Sequence, residues 1–389
     1  MRVTDYELYE VPPRWQFLKL ETDEGLVGWG EPYTKWHHVN DSPTPTKTAV
    51  DQMMQKYVLG ADPARIEDLW QSMYRASFYR GGPVHMSAIA GIDEALWDLK
   101  GKEAGMPVYD LLGGRSRDRI RAYQHVSVPH DAADPAAAAA REATEHVAAG
   151  FDALKLVPVE GVEQVEDPAA VRLAREVVGA VRDAVGPDVS LALDFHGRTS
   201  GPMARKLAAA VDEFDPMFVE EPVTPEHDRA LDRLSRATDA PLATGERLYT
   251  RWDFRPLFED GAIDIAQPDV SSAGGITETK KIADMAATHD VAFAPHCPMG
   301  PLAVATSLHL DAVAPNALVQ EQVLHKTEGA LRYVDNPELF DVTDGYFDIP
   351  DGPGLGVDID EDVVEKMDGA ELAFTRPVGR RADGSVGER

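Results

Sequence analysis

Eight short apolar runs limit what this chain can fold into more than any other feature of it. They are Ile120–Val126, Ala153–Val157, Val189–Phe195, Met217–Glu220, Pro241–Thr244, Ala262–Ala266, Val291–Ala294 and Ala317–Val319. Ala-rich helical stretches separate them. Strands that alternate with helices pair in parallel, because each helix returns the chain to the same end of the sheet. Eight such repeats point to a closed (β/α)-type barrel rather than an open sheet.

Polar residues stand at or just past the ends of six successive runs: Asp194, Glu220, Glu246, Asp269, His296 and Glu321. The intervals are 26, 26, 23, 27 and 25 residues. One strand, helix and two short connections take about 25 residues, so the six side chains reach similar heights on neighbouring strands. Their common destination is the bowl at the strand C-termini, where barrel enzymes keep their sites. Any one of these acids alone is better explained as a helix cap or a solvated loop residue. Six in register are not, since caps do not explain charge at buried strand ends.

The residue types narrow the chemistry. Asp194, Glu220 and Glu246 on adjacent strands repel one another unless a hard dication compensates them, and oxygen-only ligation favours Mg²⁺ or Mn²⁺ over Zn²⁺. Asp269 and His296 can form a carboxylate–imidazole pair, which makes a general base. His196 lies two residues past Asp194, and strand alternation puts both on one face. A metal between two acid/base groups suits proton abstraction beside a carboxylate, followed by loss of a β-hydroxyl. Cys297 reads as a packed thiol and Gly274-Gly275 as a tight turn after a strand.

Upstream, Val3–Tyr9, Trp15–Glu21 and Leu26–Glu31 alternate as strands, with Thr22-Asp23-Glu24-Gly25 as a turn. A polar loop from Tyr33 to Lys47 carries Trp36, His37 and His38. Pro63–Ala76 and Val84–Ala104 show apolar stripes at helical spacing. We expect an α+β module over 1–118, a barrel over 119–324 and a segment over 325–389 whose Asp351–Gly356 stretch returns to the first module.

The 389 residues carry 67 acidic against 38 basic side chains, a net charge of −29. A polyanion is repelled by nucleic acid and by anionic membranes, which excludes both as partners. The acids are spread along the chain, as on a surface adapted to molar salt in a halophile. A single cysteine, no apolar run long enough to span a bilayer and a charged N-terminus predict a cytoplasmic protein.

The motifs Phe78-Tyr79-Arg80-Gly81-Gly82-Pro83, Asp194-Phe195-His196-Gly197-Arg198, Glu220-Glu221-Pro222, Gly245-Glu246-Arg247, Gln267-Pro268-Asp269, Ala294-Pro295-His296-Cys297-Pro298 and Gln320-Glu321-Gln322 resemble the mandelate racemase subgroup of the enolase superfamily. Within it the likeness is to the galactonate dehydratases, over essentially the whole length. That resemblance implies an α/β fold, a modified (β/α)7β TIM-type barrel under an α+β N-terminal capping domain. It implies one Mg²⁺ per subunit on Asp194, Glu220 and Glu246. His296, paired with Asp269, would take the C2 proton of a sugar acid, Glu321 would help stabilise the enediolate, and His196 would protonate the leaving C3 hydroxyl. Lys155, Trp36 and His37 are expected at the substrate, and a homo-oligomer such as an octamer is expected as the assembly. D-galactonate is the expected substrate, with D-gluconate or D-xylonate as alternatives. Val157 stands where racemases of this subgroup carry a second lysine, which weighs against a racemase or cycloisomerase.

Overall fold

A computed structural model describes residues 1–33, 44–370, 378–381 and 383–388. Trp36, His37 and His38 lie outside the described residues. At the N-terminus, β1 (Val3–Val11) pairs antiparallel with β2 (Trp15–Thr22), which pairs with β3 (Val27–Gly30). Gly25 takes the left-handed turn position between the last two, φ 77°. Helices α1 (Thr44–Met53), α2 (Ile66–Arg75), α3 (Pro83–Ala104) and α4 (Val108–Leu111) complete this part. α2 buries Ile66, Leu69, Trp70 and Met73, the three-and-four spacing of its stripe.

α3 departs from the stripe expected of it. It is buried on several sides, because β3 lies against one face and the barrel against another. The approach to β3 is backbone to backbone: a Cβ at Gly30 would collide with the Gly91 carbonyl oxygen. On the barrel side, Trp97 Nε1 donates to Thr277 Oγ1 and Asp93 accepts from the Thr277 amide.

The run Ile120–Val126 is two strands, not one. β4 (Arg119–Arg121) pairs antiparallel with a C-terminal hairpin, and β5 (Gln124–Val126) opens the barrel. The handover falls at Ala122, whose amide donates to Gly345. The barrel then runs β5, α5 (Pro135–Ala148), β6 (Ala153–Leu156), α6 (Pro168–Val185), β7 (Ser190–Asp194), α7 (Gly201–Val211), β8 (Phe218–Glu220), α8 (Leu231–Ser235), β9 (Leu242–Thr244), α9 (Arg251–Glu259), β10 (Ile265–Ala266), α10 (Gly275–Thr288), β11 (Ala292–Phe293) and α11 (Pro301–Val313). Strands β5 to β11 pair in chain order, all parallel. Ala317–Gln320 closes the ring through parallel bridges from Phe293 to Ala317 and from Ala122 to Gln320.

Local sequence starts most of the helices. Asp134, Asp167 and Ser200 each accept from the amide three residues on, and Thr250 with Asp253 forms a capping box. Pro135, Pro168 and Pro202 sit in the first turns, where a missing N–H costs nothing. β12 (Val342–Thr343) and β13 (Tyr346–Asp348) form the hairpin against β4. The Gly/Pro-rich stretch then returns to the N-terminal part: Gly354 exchanges backbone bonds with Met106 and Val108, and Leu355 donates to Asp98. α12 (Glu361–Met367) lies against β1, with Glu361 paired to Lys19 at 2.7 Å.

Candidate active site

The barrel interior is layered. One apolar layer takes a residue from each unit: Tyr123, Ala153, Ala192, Phe218, Ala243, Ile265, Ala294 and Val319. Side chains alternate faces along a strand, so the residue two positions later points inward again, one layer nearer the C-terminal mouth. Those residues are His125, Lys155, Asp194, Glu220, Gly245, Gln267, His296 and Glu321. An apolar layer therefore supports a ring that is polar at every position but one. The exception is Gly245, where φ is 149° and a Cβ would lie 2.7 Å from the Gln267 backbone. Glu246, the next residue, reaches into the bowl instead.

The ring is densely bonded. Lys155 Nζ lies 2.5 Å from Glu220, 3.1 Å from Glu321 and 3.6 Å from Asp194. His125 Nε2 lies 2.9 Å from Glu321, and Gln267 donates to Glu220. Glu321 also accepts from the Cys297 amide at 2.7 Å. His296 bridges two acids, Nδ1 to Asp269 at 2.7 Å and Nε2 to Glu246 at 2.9 Å. Cys297 is buried and its thiol is pushed up by burial, as a packed side chain.

The electrostatics follow from burial competing with these pairs. Burial would push Glu321 up, but Lys155, His296 and His125 outweigh it and hold the carboxyl well below its usual range. Burial likewise opposes the charged form of His296, and Glu246, Glu321 and Asp269 reverse that and hold the imidazole well above its ordinary value. Glu220 is raised by burial and by the acids beside it, against the pull of Lys155. Facing three carboxylates, Lys155 keeps its ammonium form.

His196 reaches the bowl by a route other than the alternation expected of it. β7 ends at Asp194, and His196 and Gly197 both turn left-handed, at φ 58° and 59°. The turn is held by the His196 amide on Asp194 and by Arg247 on the His196 carbonyl, each at 2.6 Å. A Cβ at Gly197 would collide with the Arg247 guanidinium. Non-glycine residues at positive φ are strained, and such strain collects at functional sites. Arg198 lies 2.8 Å from His196 Nδ1. A guanidinium can only donate, so Nδ1 accepts and the ring's N–H is Nε2.

Asp194 and Glu220 are register partners on β7 and β8, both buried, and an all-oxygen set of this kind suits a hard dication. Glu246 is the third carboxylate, held here by His296. Among the described residues, no three His, Cys, Asp or Glu side chains form a ready-made ion cage. Lys155 and His296 neutralise the acids instead.

Residues 138–363 match the Enolase C-terminal domain-like family, and residues 13–113 match the mandelate racemase / muconate lactonizing enzyme N-terminal domain. The chain belongs to the enolase superfamily. It is 47% identical over 392 aligned positions to a D-galactonate dehydratase of Pectobacterium atrosepticum and 48% to one of Ralstonia pickettii, covering all of both partners in each case. Among solved structures, an enolase from Agrobacterium radiobacter with bound sodium and L-malate superposes with TM-score 0.88 at 32% identity, over the full length of both chains. A mandelate racemase/muconate lactonizing enzyme from Jannaschia superposes equally well, TM-score 0.88 at 30% identity, covering 95% of this chain and 98% of that one.

The barrel of this superfamily member brings Lys155, Asp194, His196, Glu220, Glu246, Asp269, His296 and Glu321 to one bowl. Val157, just past β6, offers no base there. Sequence reasoning missed His125 and Gln267 in the ring, and Arg198, Glu221 and Arg247 around the His196 turn. The first two were within reach, two residues past inward apolar positions. Arg247 was not, because it bridges Glu221, Glu246 and the His196 carbonyl across three loops.

Proposed function

We propose that this protein is a Mg²⁺-dependent hydro-lyase that converts a sugar acid, D-galactonate first among them, to the 2-dehydro-3-deoxy acid. What supports the reading most is the placement of two histidines at the bowl, His296 with both ring nitrogens on carboxylates and His196 with Nδ1 against Arg198. They come from β7 and β11, four strands apart in an eight-strand ring. Near-full-length similarity to proteins named D-galactonate dehydratase supports the substrate. Residues 1–118 would serve as the cap, 119–324 as the catalytic barrel and 325–389 as the tie between them.

Asp269 accepts from His296 Nδ1, so Nε2 is the atom that takes the proton from C2. His196 holds its proton on Nε2 and gives it to the C3 hydroxyl, which leaves as water. The resulting enol becomes the ketone by taking a proton at C3. Asp194, Glu220 and Glu246 would hold Mg²⁺, which when bound would supply positive charge to acidify a proton beside the substrate carboxylate. Lys155 and His125, both fixed by Glu321, place donors in the same bowl. Val157, where racemases of this subgroup carry a second lysine, supplies no second base, which favours lyase over racemase chemistry.

The test is a panel of aldonates with purified protein and Mg²⁺, scoring keto-acid formation. We expect galactonate to be converted, gluconate less well, and excess EDTA to abolish turnover. Failure on every aldonate, or full activity in EDTA, would overturn the reading.

A further inference from the structure

Four helices that follow barrel strands begin on caps from their own chain neighbourhood: Asp134, Asp167, Ser200 and Thr250. α11 does not. Its first residues follow Gly300, which supplies no side-chain cap. The acceptor comes from the N-terminal module. Glu31, immediately after β3 and 2% exposed, takes the Gly300 amide on Oε1 at 2.7 Å and the Ala303 amide on Oε2 at 3.1 Å. Its own amide is held by Glu94 at 2.7 Å.

This contact sits four residues from His296. The same module reaches the intervening loop twice more. Arg14 Nη2 donates to the Pro298 carbonyl at 2.6 Å, and Trp15 walls Gly300 so closely that a Cβ there would lie 2.9 Å from its ring. From the barrel side, Glu321 holds the Cys297 amide. The loop after β11 is thus gripped at 297 by the barrel and at 298 and 300 by the cap, which also holds Ala303 in the first turn of α11. Burying a carboxylate costs stability that a serine cap would avoid, and burial does push Glu31 up to about 8 against its two amide bonds. What a local cap would not do is tie the height of His296 to the docking of the other module.

We infer that Glu31 is a positioning residue for His296, gripping the start of α11 across the domain boundary so that Nε2 meets C2. The inference rests on the dehydratase reading for its kinetic consequence but not for the grip itself. Displacing a catalytic group by about 1 Å can lower turnover roughly 100-fold.

The test compares wild type with Glu31→Ala, Glu31→Gln and, as a control, Asp98→Asn. Asp98 accepts from Trp29 and Leu355 and ties the same module to the C-terminal segment without touching the His296 loop. Hydrogen–deuterium exchange should show the Met299, Gly300, Leu302 and Ala303 amides opening in Glu31→Ala while other barrel segments match wild type. With galactonate and Mg²⁺, kcat and C2–H exchange in D₂O should fall together by about 100-fold, with KM changed by no more than about threefold. Glu31→Gln should lie between, since its amide accepts from one N–H and opposes the other; it also serves if Glu31→Ala fails to fold. Asp98→Asn should lower Tm and leave kcat near wild type. Unchanged kcat and C2 exchange in Glu31→Ala, or an equal kcat loss in Asp98→Asn, would overturn the inference. If wild type converts no aldonate, the dehydratase reading fails and amide exchange alone decides. Opening confined to the amides of Met299, Gly300, Leu302 and Ala303 upholds the grip, and its absence refutes it.

Discussion

His196 and His296 are held in opposite senses, and that difference can be measured. Asp269 takes the proton side of His296, while Arg198 occupies the acceptor side of His196. If His296 removes the C2 proton, His296→Asn should abolish both dehydration and exchange of C2–H with D₂O. In the proposed mechanism His196 acts after the proton has gone, so His196→Asn should block dehydration yet still wash deuterium into C2 of recovered substrate. NMR of that substrate reads both outcomes, and exchange in the His296 variant with none in the His196 variant would reverse the roles. The groups that meet in the bowl were legible in the sequence because each carries its own chemistry and sits near the end of an apolar run. The groups that orient them were not. Arg198 and Arg247 are ordinary loop arginines until folding puts them against His196.

At the scale of elements, the barrel strand with no ring side chain is the most sensitive. Gly245 on β9 takes φ 149° against the Gln267 backbone and the Phe254 ring, so Gly245→Ala must displace β10 or the Glu246 turn. Gly261 is a fair comparison: its φ is 60°, and a Cβ there would meet nothing within 4 Å. Gly261→Ala should cost only about 1 kcal/mol, the strain of a left-handed alanine. We expect Gly245→Ala to lower Tm several times more and to lose turnover as well, as thermal melts and the aldonate assay would read. Equal Tm losses for the two would remove the close-packing account. Strand and helix periods were readable because each element buries a face of its own. One run was misjudged and one helix is more deeply covered than its stripe implied, for one reason. α3 is covered on more than one side by β3 and α10, and Ile120–Val126 is split by β13, and both partners lie far away in sequence.

Across the whole molecule, two charge effects act in different solvents. The net charge of −29 should make the melting temperature rise steeply with KCl, as screening relieves self-repulsion; a Tm indifferent to salt would sink the halophile reading. The second effect is buried. Asp93 and Glu31 are pushed up to about 7 and about 8 by burial, and Glu94 and Asp98 are raised for the same reason. Between the ordinary 3.8 or 4.5 and those values, the folded protein keeps protons that the unfolded chain has lost. Stability from these groups is therefore complete at low pH and falls as pH rises toward 8. Glu67 and Glu142 run the other way, lowered overall by Lys281 and Lys326, and matter only below their ordinary 4.5. His85, His125 and His309, lowered by burial, oppose this trend below their ordinary 6.5, so urea midpoints should drop from about pH 7 to about pH 8.5, and Glu31→Gln should flatten the slope. A midpoint that rises over that interval would contradict the buried-acid account.

The sequence by itself determined the barrel, its repeat length and the acids and imidazoles at its mouth. Periodicity and spacing along the chain are local properties, and a strand end carries its residue wherever the strand goes. Only the tertiary structure decided which charge faces which: Lys155 among three carboxylates, His296 between Asp269 and Glu246, and Glu31 at the head of a helix 269 positions away. Those pairings depend on distances across the bowl and across the domain boundary, where angles of a few degrees move side chains by ångströms. Nothing in the local order of residues encodes them.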